Sequence, residues 1–544
     1  MKKFLSFVFV ITVFFLAFTY AIEKSGMLFL GRTTANAVFT ETPNGQVLSW
    51  DKLPYPCYYR IDTISISKGR GNNQTERRIE KSEFSMTPSC KLESSAVPTE
   101  YIITPYGMFG TFERSFDPVV NPRYEAKNVP VLISSFTKDT PASAKPFLLW
   151  HTVPTAACYR LELLSDKPST EGGTAKDSDN SLYITERIYT NGCQVDLTDF
   201  MKGKGKEIKK FYWRVLALNL DREPLGEFSP ASELFADSSL PYPDRPMLNE
   251  NDKMITGRMP LYPVYNWIPL ADRSLDYEVE LSTRPYDKEH KNKPIDNPLW
   301  RKSANEKICL YDDLPRGEPG TTYYWRVRAL DREGNQVGHY SDVAAFSIPL
   351  YEGRPFAAAF GDSITHGGGA ISYSPANLEY SYTSYLDFPT INLGKSGDTL
   401  DAALARFEND VLPLHPYNLL IMEGTNNLRN DMTAADMCRY IDDIRSVCEK
   451  NDIRPIFMTI MPLNPPKIMR AFNSATNSEW NQKLKIVNDH IRTMPYYIEL
   501  EPYFYDQDNK LLAGELAIDG LHPDVSGKML MANIVNKHKH LLRQ

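Results

Sequence analysis

The stretch Phe356-Ala357-Ala358-Ala359-Phe360-Gly361-Asp362-Ser363-Ile364-Thr365 decides the reading of the C-terminal third of this chain. Five apolar residues with no polar break are too short for a buried helix. They suit a strand covered on both faces. Similar apolar runs follow at 390–393, 419–422, 455–461 and 496–500. Amphipathic helical patterns accompany them at 400–412, 433–450, 478–494 and 525–542, and Thr433 and Asp436 open the second as a capping box. Strands alternating with helices predict a parallel sheet with helices on both faces over residues 351–544. In such sheets, sites form outside the carboxyl ends of the strands.

Residues with chemistry stand at those ends. Ser363 follows the first strand, where a hydroxyl is placed to attack but needs a base. Asp519 and His522, in Asp519-Gly520-Leu521-His522-Pro523, are spaced so that the carboxylate reaches one ring nitrogen and leaves the other free to take the serine proton. Acyl transfer also needs donors for the developing oxyanion. Gly397, in the loop Lys395-Ser396-Gly397-Asp398 after the second strand, offers an unobstructed backbone N–H. Asn426, in Gly424-Thr425-Asn426-Asn427 after the third, offers a side-chain amide. Gly-x-Ser-x-Gly, the other serine-hydrolase elbow, is absent from the sequence.

These four segments, in this order, resemble the SGNH (GDSL) hydrolase family over most of 351–544. The resemblance implies a three-layer, flavodoxin-like α/β domain. It also implies Ser363 as nucleophile, Asp519 and His522 as its partners, and an oxyanion hole formed by Ser363, Gly397 and Asn426. The family works without metal, so no cofactor is expected. Glu423 departs from the pattern, which has a small residue before the glycine, and the expectation is an altered local charge. The loop His366-Gly367-Gly368-Gly369 reads either as an entrance to the site or as a plain connection. Tyr373, Tyr380, Tyr382 and Tyr385 read as core or rim packing, with sugar stacking as the alternative.

Upstream the sequence repeats itself, with short alternating runs of β character. Leu149-Trp150 precedes Cys158-Tyr159-Arg160-Leu161-Glu162-Leu163, and Asn266-Trp267 precedes Asp276-Tyr277-Glu278-Val279-Glu280-Leu281. Tyr212-Trp213-Arg214-Val215 and Tyr324-Trp325-Arg326-Val327 follow, with Ser229 and Ser341 each sixteen residues after the Trp. A weaker copy keeps Leu48-Ser49-Trp50 and Cys57-Tyr58-Tyr59-Arg60. The pattern resembles fibronectin type III domains, and the expected boundaries are 38–122 (degenerate), 126–238 and 240–350. Cys57 and Cys90 stand 33 residues apart and Cys158 and Cys193 stand 35 apart. This raises the hypothesis of two disulfides, Cys57–Cys90 and Cys158–Cys193, with small buried thiols as the alternative.

Residues 4–22 carry no charge and follow Lys2 and Lys3, which reads as a signal peptide or signal anchor over 1–22. Export to the periplasm, cell surface or medium is therefore expected, with membrane contact only through an uncleaved anchor. The formal charge of −7 gives no general attraction to nucleic acid. Most of that charge lies in 351–544, which hold 18 Lys+Arg against 24 Asp+Glu. Neutral or weakly charged glycans are thus the expected substrates rather than polyanions. The sequence reads as an exported serine esterase acting on acylated, chiefly O-acetylated, small molecules or polysaccharide. The alternatives are an O-acyltransferase acting on a glycan and a non-catalytic carbohydrate-binding surface protein.

Overall fold

The computed structural model describes residues 17, 18, 20, 21, 35, 37–42, 45–53, 58–68, 75–92, 99–107, 110–111, 116, 118–120 and 128–543, apart from 154–155, 170–174, 203–207, 249–253, 257–258, 288, 305, 351–352, 370–377, 507, 509 and 515. All but four residues of the expected leader, as well as Cys57 and Tyr373, lie outside this set. Among the described residues no helix is long and apolar enough to cross a membrane. The chain divides into two compact units, 1–127 and 128–544.

In the first unit the described residues from 35 onward are strands and their connections. One sheet joins Val38–Thr42, Gly45–Ser49 and Ser89–Lys91, and a second is built on Tyr58–Lys68 between Thr75–Ser85 and Thr99–Gly107. In the second unit, strands between residues 147 and 236 and between 247 and 347 form further sheets around two separate cores, antiparallel except that Met254–Thr256 pairs parallel with Ala344–Ser347.

The repeated sequence has a repeated physical basis. Trp50, Trp150 and Trp267 each pack against a tyrosine ring (Tyr59, Tyr159 and Tyr277), with centroids 5.1, 5.3 and 5.6 Å apart. Each tyrosine hydroxyl accepts a backbone N–H from the connecting loop, at Leu53, Val153 and Leu270. The Arg of each Trp-Arg-Val strand forms an ion pair with the buried Glu across the ladder, Arg214 with Glu162 and Arg326 with Glu280. Ser229 and Ser341 each accept the N–H of the valine in that strand at 3.0 Å.

The disulfide hypothesis needs correction. Cys158 and Cys193 are free thiols, and so is Cys90. Cys193 packs on the core around Trp150, whereas Cys158 sits in a separate cluster with Leu216, Leu218 and Phe228. Because Tyr59, not Tyr58, matches Tyr159, it is Tyr58 that takes the position of Cys158, and Cys57 lies outside the described residues.

Residues 351–544 hold a five-stranded parallel sheet: β1 (Ala357–Gly361), β2 (Thr390–Gly394), β3 (Asn418–Met422), β4 (Arg454–Met458) and β5 (Tyr497–Ile498). The order is β2-β1-β3-β4-β5, so the chain reverses its direction of winding next to β1. Strand β1 alternates between two cores. Ala358 and Phe360 join Leu393, Phe407 and Ile444, while Ala357 and Ala359 join Met531, Ile534 and Val535. The helices are α1 (Ser363–His366), α2 (Leu400–Asp410), α3 (Thr425–Arg429), α4 (Ala434–Lys450), α5 (Pro465–Phe472), α6 (Trp480–Ile491) and α7 (Val525–Lys537). Thr433 caps α4 through the N–H of Asp436, as its spacing implied.

Candidate active site

The site forms at the carboxyl ends of β1, β2 and β3, beside the winding reversal. Asp362 caps α1 by accepting the N–H of Ile364 at 2.9 Å. This places Ser363 at the first helical position, where a backbone N–H has no partner within the helix. Ser363 Oγ lies 2.8 Å from His522 Nε2. His522 Nδ1 lies 2.8 Å from Asp519 Oδ2, and Asp519 Oδ1 accepts the N–H groups of Leu521 and His522, each at 2.8 Å. Asp519 is fully buried. A carboxylate only accepts, so Nδ1 carries the imidazole proton and the Nε2 lone pair faces the serine hydroxyl. The arrangement can move a proton from Ser363 to His522.

Gly397 occupies the third position of the turn 395–398, which is closed by Asp398 N–H to Lys395 O at 3.2 Å. Its φ is +84°, and a side chain there would meet nothing within 4 Å. Glycine is therefore required by backbone conformation rather than by space. Asn426 Nδ2 donates one hydrogen to Asp398 O at 2.7 Å and has a second to give. The structure thus joins Ser363, His522 and Asp519 in one line of hydrogen bonds, and joins Asn426 to the Gly397 turn through Asp398.

Three features of this site escaped the sequence. Gly368, part of an ambiguous loop, lies directly against the imidazole, because a Cβ there would come within 2.8 Å of His522 Cδ2. Phe472 sets its ring edge-on to His522 at 5.8 Å and 81°, and it stays 42% exposed. Lys528 is wholly buried on α7 and donates to Ile364 O, and burial lowers its pKa to about 7. None stands in a recognisable spacing, so only the fold could bring them together.

Glu423 is 3% exposed, and burial, then the nearby Asp362 and Asp398, push its carboxyl well above the usual carboxylate range. Its Oε1 accepts the N–H of Gly424 at 3.1 Å. Tyr380 and Tyr382 are buried, which settles them as packing. Among the described residues no group of three or more His, Cys, Asp or Glu side chains could hold a metal ion.

Residues 359–530 match the GDSL-like lipase/acylhydrolase family. An acetylxylan esterase from Geobacillus stearothermophilus is 24% identical over 172 residues, which are 30% of this chain and 78% of that protein. Among solved structures, a lipase/acylhydrolase from Enterococcus faecalis shows 21% identity and a TM-score of 0.28, covering 35% of this chain and 98% of that one. A GDSL-like lipase from Bacteroides thetaiotaomicron shows 21% identity and a TM-score of 0.28, covering 34% and 87%. The C-terminal region is a GDSL-like lipase/acylhydrolase domain, and the chain is an ester-hydrolysing enzyme.

Proposed function

We propose that this enzyme is an exported serine esterase that removes acyl groups, chiefly O-acetyl, from a polysaccharide. Ser363 attacks the ester carbonyl while His522 Nε2 takes its proton. Asp519 holds the ring and stabilises the imidazolium. The N–H groups of Ser363 and Gly397 and the Asn426 amide receive the oxyanion, each such donor being worth about 3–4 kcal/mol in the transition state. His522 then protonates the leaving alcohol and activates the water that cleaves the acyl-enzyme.

The observation that carries this reading is the unbroken line Ser363 Oγ–His522–Asp519, with both links at 2.8 Å. The similarity to an acetylxylan esterase supports acetylated glycan as the substrate class, and the charge-free segment 4–22 supports export. The upstream β regions, as sandwiches of fibronectin type III kind, would present the enzyme to a polymer. The test is hydrolysis of a chromogenic acetate ester and release of acetate from acetylated polysaccharides. Ser363→Ala should abolish both, and activity surviving in that variant would falsify the assignment.

A further inference from the structure

Tyr262 lies far upstream of β1 and outside the 359–530 match, yet it is only 4% exposed and belongs to the core of the hydrolase sheet with Phe360, Leu393 and Phe407. Its neighbour Leu261 donates its N–H to Asn392 O of β2 at 2.8 Å. Both polar ends of Tyr262 are engaged. Its carbonyl accepts from His366 Nε2 at 2.7 Å, and His366 Nδ1 lies 2.8 Å from Ser396 Oγ. A carbonyl only accepts, so the proton is on Nε2 and Nδ1 receives the serine hydroxyl's hydrogen. Burial lowers the His366 pKa to about 4, which keeps the ring in that neutral form. At the other end the phenol donates to Asp410 Oδ2 at 2.7 Å. Asp410 binds Arg406 Nη1 at 2.9 Å, and Arg406 Nε binds Asp398 Oδ2 at 2.6 Å.

Two chains of bonds thus leave one residue and end on Ser396 and Asp398, the neighbours of Gly397 on either side. The carbonyl of Asp398 is also the partner of the Asn426 amide. We propose that Tyr262 is a positioning residue that clamps the turn 395–398 at both ends, so that the β region upstream completes the oxyanion site of the hydrolase domain. The proposal rests on the esterase reading above. Donors act only when held at the place where charge develops, and small misplacements are costly. Fixing Ser396 and Asp398 fixes the Gly397 N–H between them and, through Asp398, the Asn426 amide.

The test uses the full chain, with kcat, KM and melting temperature measured for Tyr262→Phe, Ser396→Ala and Asn426→Ala on a chromogenic acetate ester. Tyr262→Phe keeps the ring and the backbone carbonyl and removes only the hydroxyl that donates to Asp410. It should lower kcat on the order of ten-fold with little change in KM. Ser396→Ala breaks the other chain and should act in the same direction, and it decides the matter if Tyr262→Phe fails to fold. Placed on top of Asn426→Ala, the Tyr262→Phe penalty should shrink, because both act on the same donors. Wild-type kcat in both variants, or an equal Tyr262→Phe penalty in the two backgrounds, overturns the proposal while an inactive Ser363→Ala leaves the esterase reading intact. An active Ser363→Ala would instead bring down that reading itself.

Discussion

Gly368→Ala tests the geometry of His522, the proposed base, with a single methyl group. Gly368 has no left-handed backbone that would strain an alanine, so the effect is purely steric. The new Cβ would lie 2.8 Å from His522 Cδ2 and 2.9 Å from Ser363 O. Carbon atoms in contact prefer about 3.5–4.0 Å, so the overlap with the imidazole is roughly 0.7 Å. Ser363 O is backbone, receiving the N–H groups of Gly367 and Gly368, and it has little room to move. The imidazole yields instead, pivoting about Nδ1 where Asp519 holds it. The Ser363 Oγ–His522 Nε2 separation, now 2.8 Å, opens past the roughly 3.2 Å limit of useful proton transfer. A fall in kcat of about 10²-fold is expected, with a stability loss of about 1–3 kcal/mol from overpacking. Steady-state hydrolysis of a chromogenic acetate ester measures the first and thermal denaturation the second. A variant that folds and keeps kcat within about two-fold of wild type would show that the base is not held where Gly368 touches it.

His366 should make the hydrolase region acid-labile. Its native pKa of about 4 lies below the ordinary 6.5, so the unfolded chain binds the extra proton between those values. The stability it contributes is complete above pH 6.5 and drains as the pH falls toward 4, by on the order of 3 kcal/mol. Urea midpoints at pH 7.5 and 4.5 should therefore converge in His366→Gln, and an unchanged pH dependence would refute this. Mass spectrometry without reductant should find Cys158 and Cys193 as free thiols, and reductant should leave the melting temperature unmoved; a bridged peptide would contradict the structure. Glu280→Ala strips the partner from Arg326, which is 1% exposed, and should cost about 3–5 kcal/mol in thermal or denaturant unfolding. By contrast, Arg439→Ala at an exposed helix position should change almost nothing.

The legible parts of this protein were those in which local sequence carries its own geometry. Buried parallel strands read as unbroken apolar runs because both faces are covered. The Asp519–His522 contact is legible because three residues of turn are enough to close it. The short helices α1 and α3 were not legible, since four or five residues make little more than one turn and give an amphipathic pattern no room to repeat. Helix α5 stands outside the expected helical patterns, and it opens on Pro465 and Pro466, which suit a first turn where the missing N–H is not needed. The cysteine spacing misled for a different reason. Distance along the chain says nothing about which face of a strand a side chain takes, and tertiary packing around Tyr59 and Tyr159 fixed that face. The Tyr262 clamp was invisible in sequence because neither of its chains of bonds is local.

The net charge of the hydrolase region also changes meaning once its carboxylates are placed. Of the acidic residues counted in 351–544, Asp362, Asp398, Asp410, Glu423, Asp519 and Asp524 are all buried. Burial, then Asp362 and Asp398, push the Glu423 carboxyl upward, Asp398 and Asp410 share Arg406, and Lys528 lies in the field of Asp362, Asp519 and Asp524. An interior carboxylate matched by an interior cation contributes little field at the surface, where a polymer would feel it. These buried groups orient the turn 395–398, α1 and His522, while the exposed ring of Phe472 stands at the rim beside the imidazole.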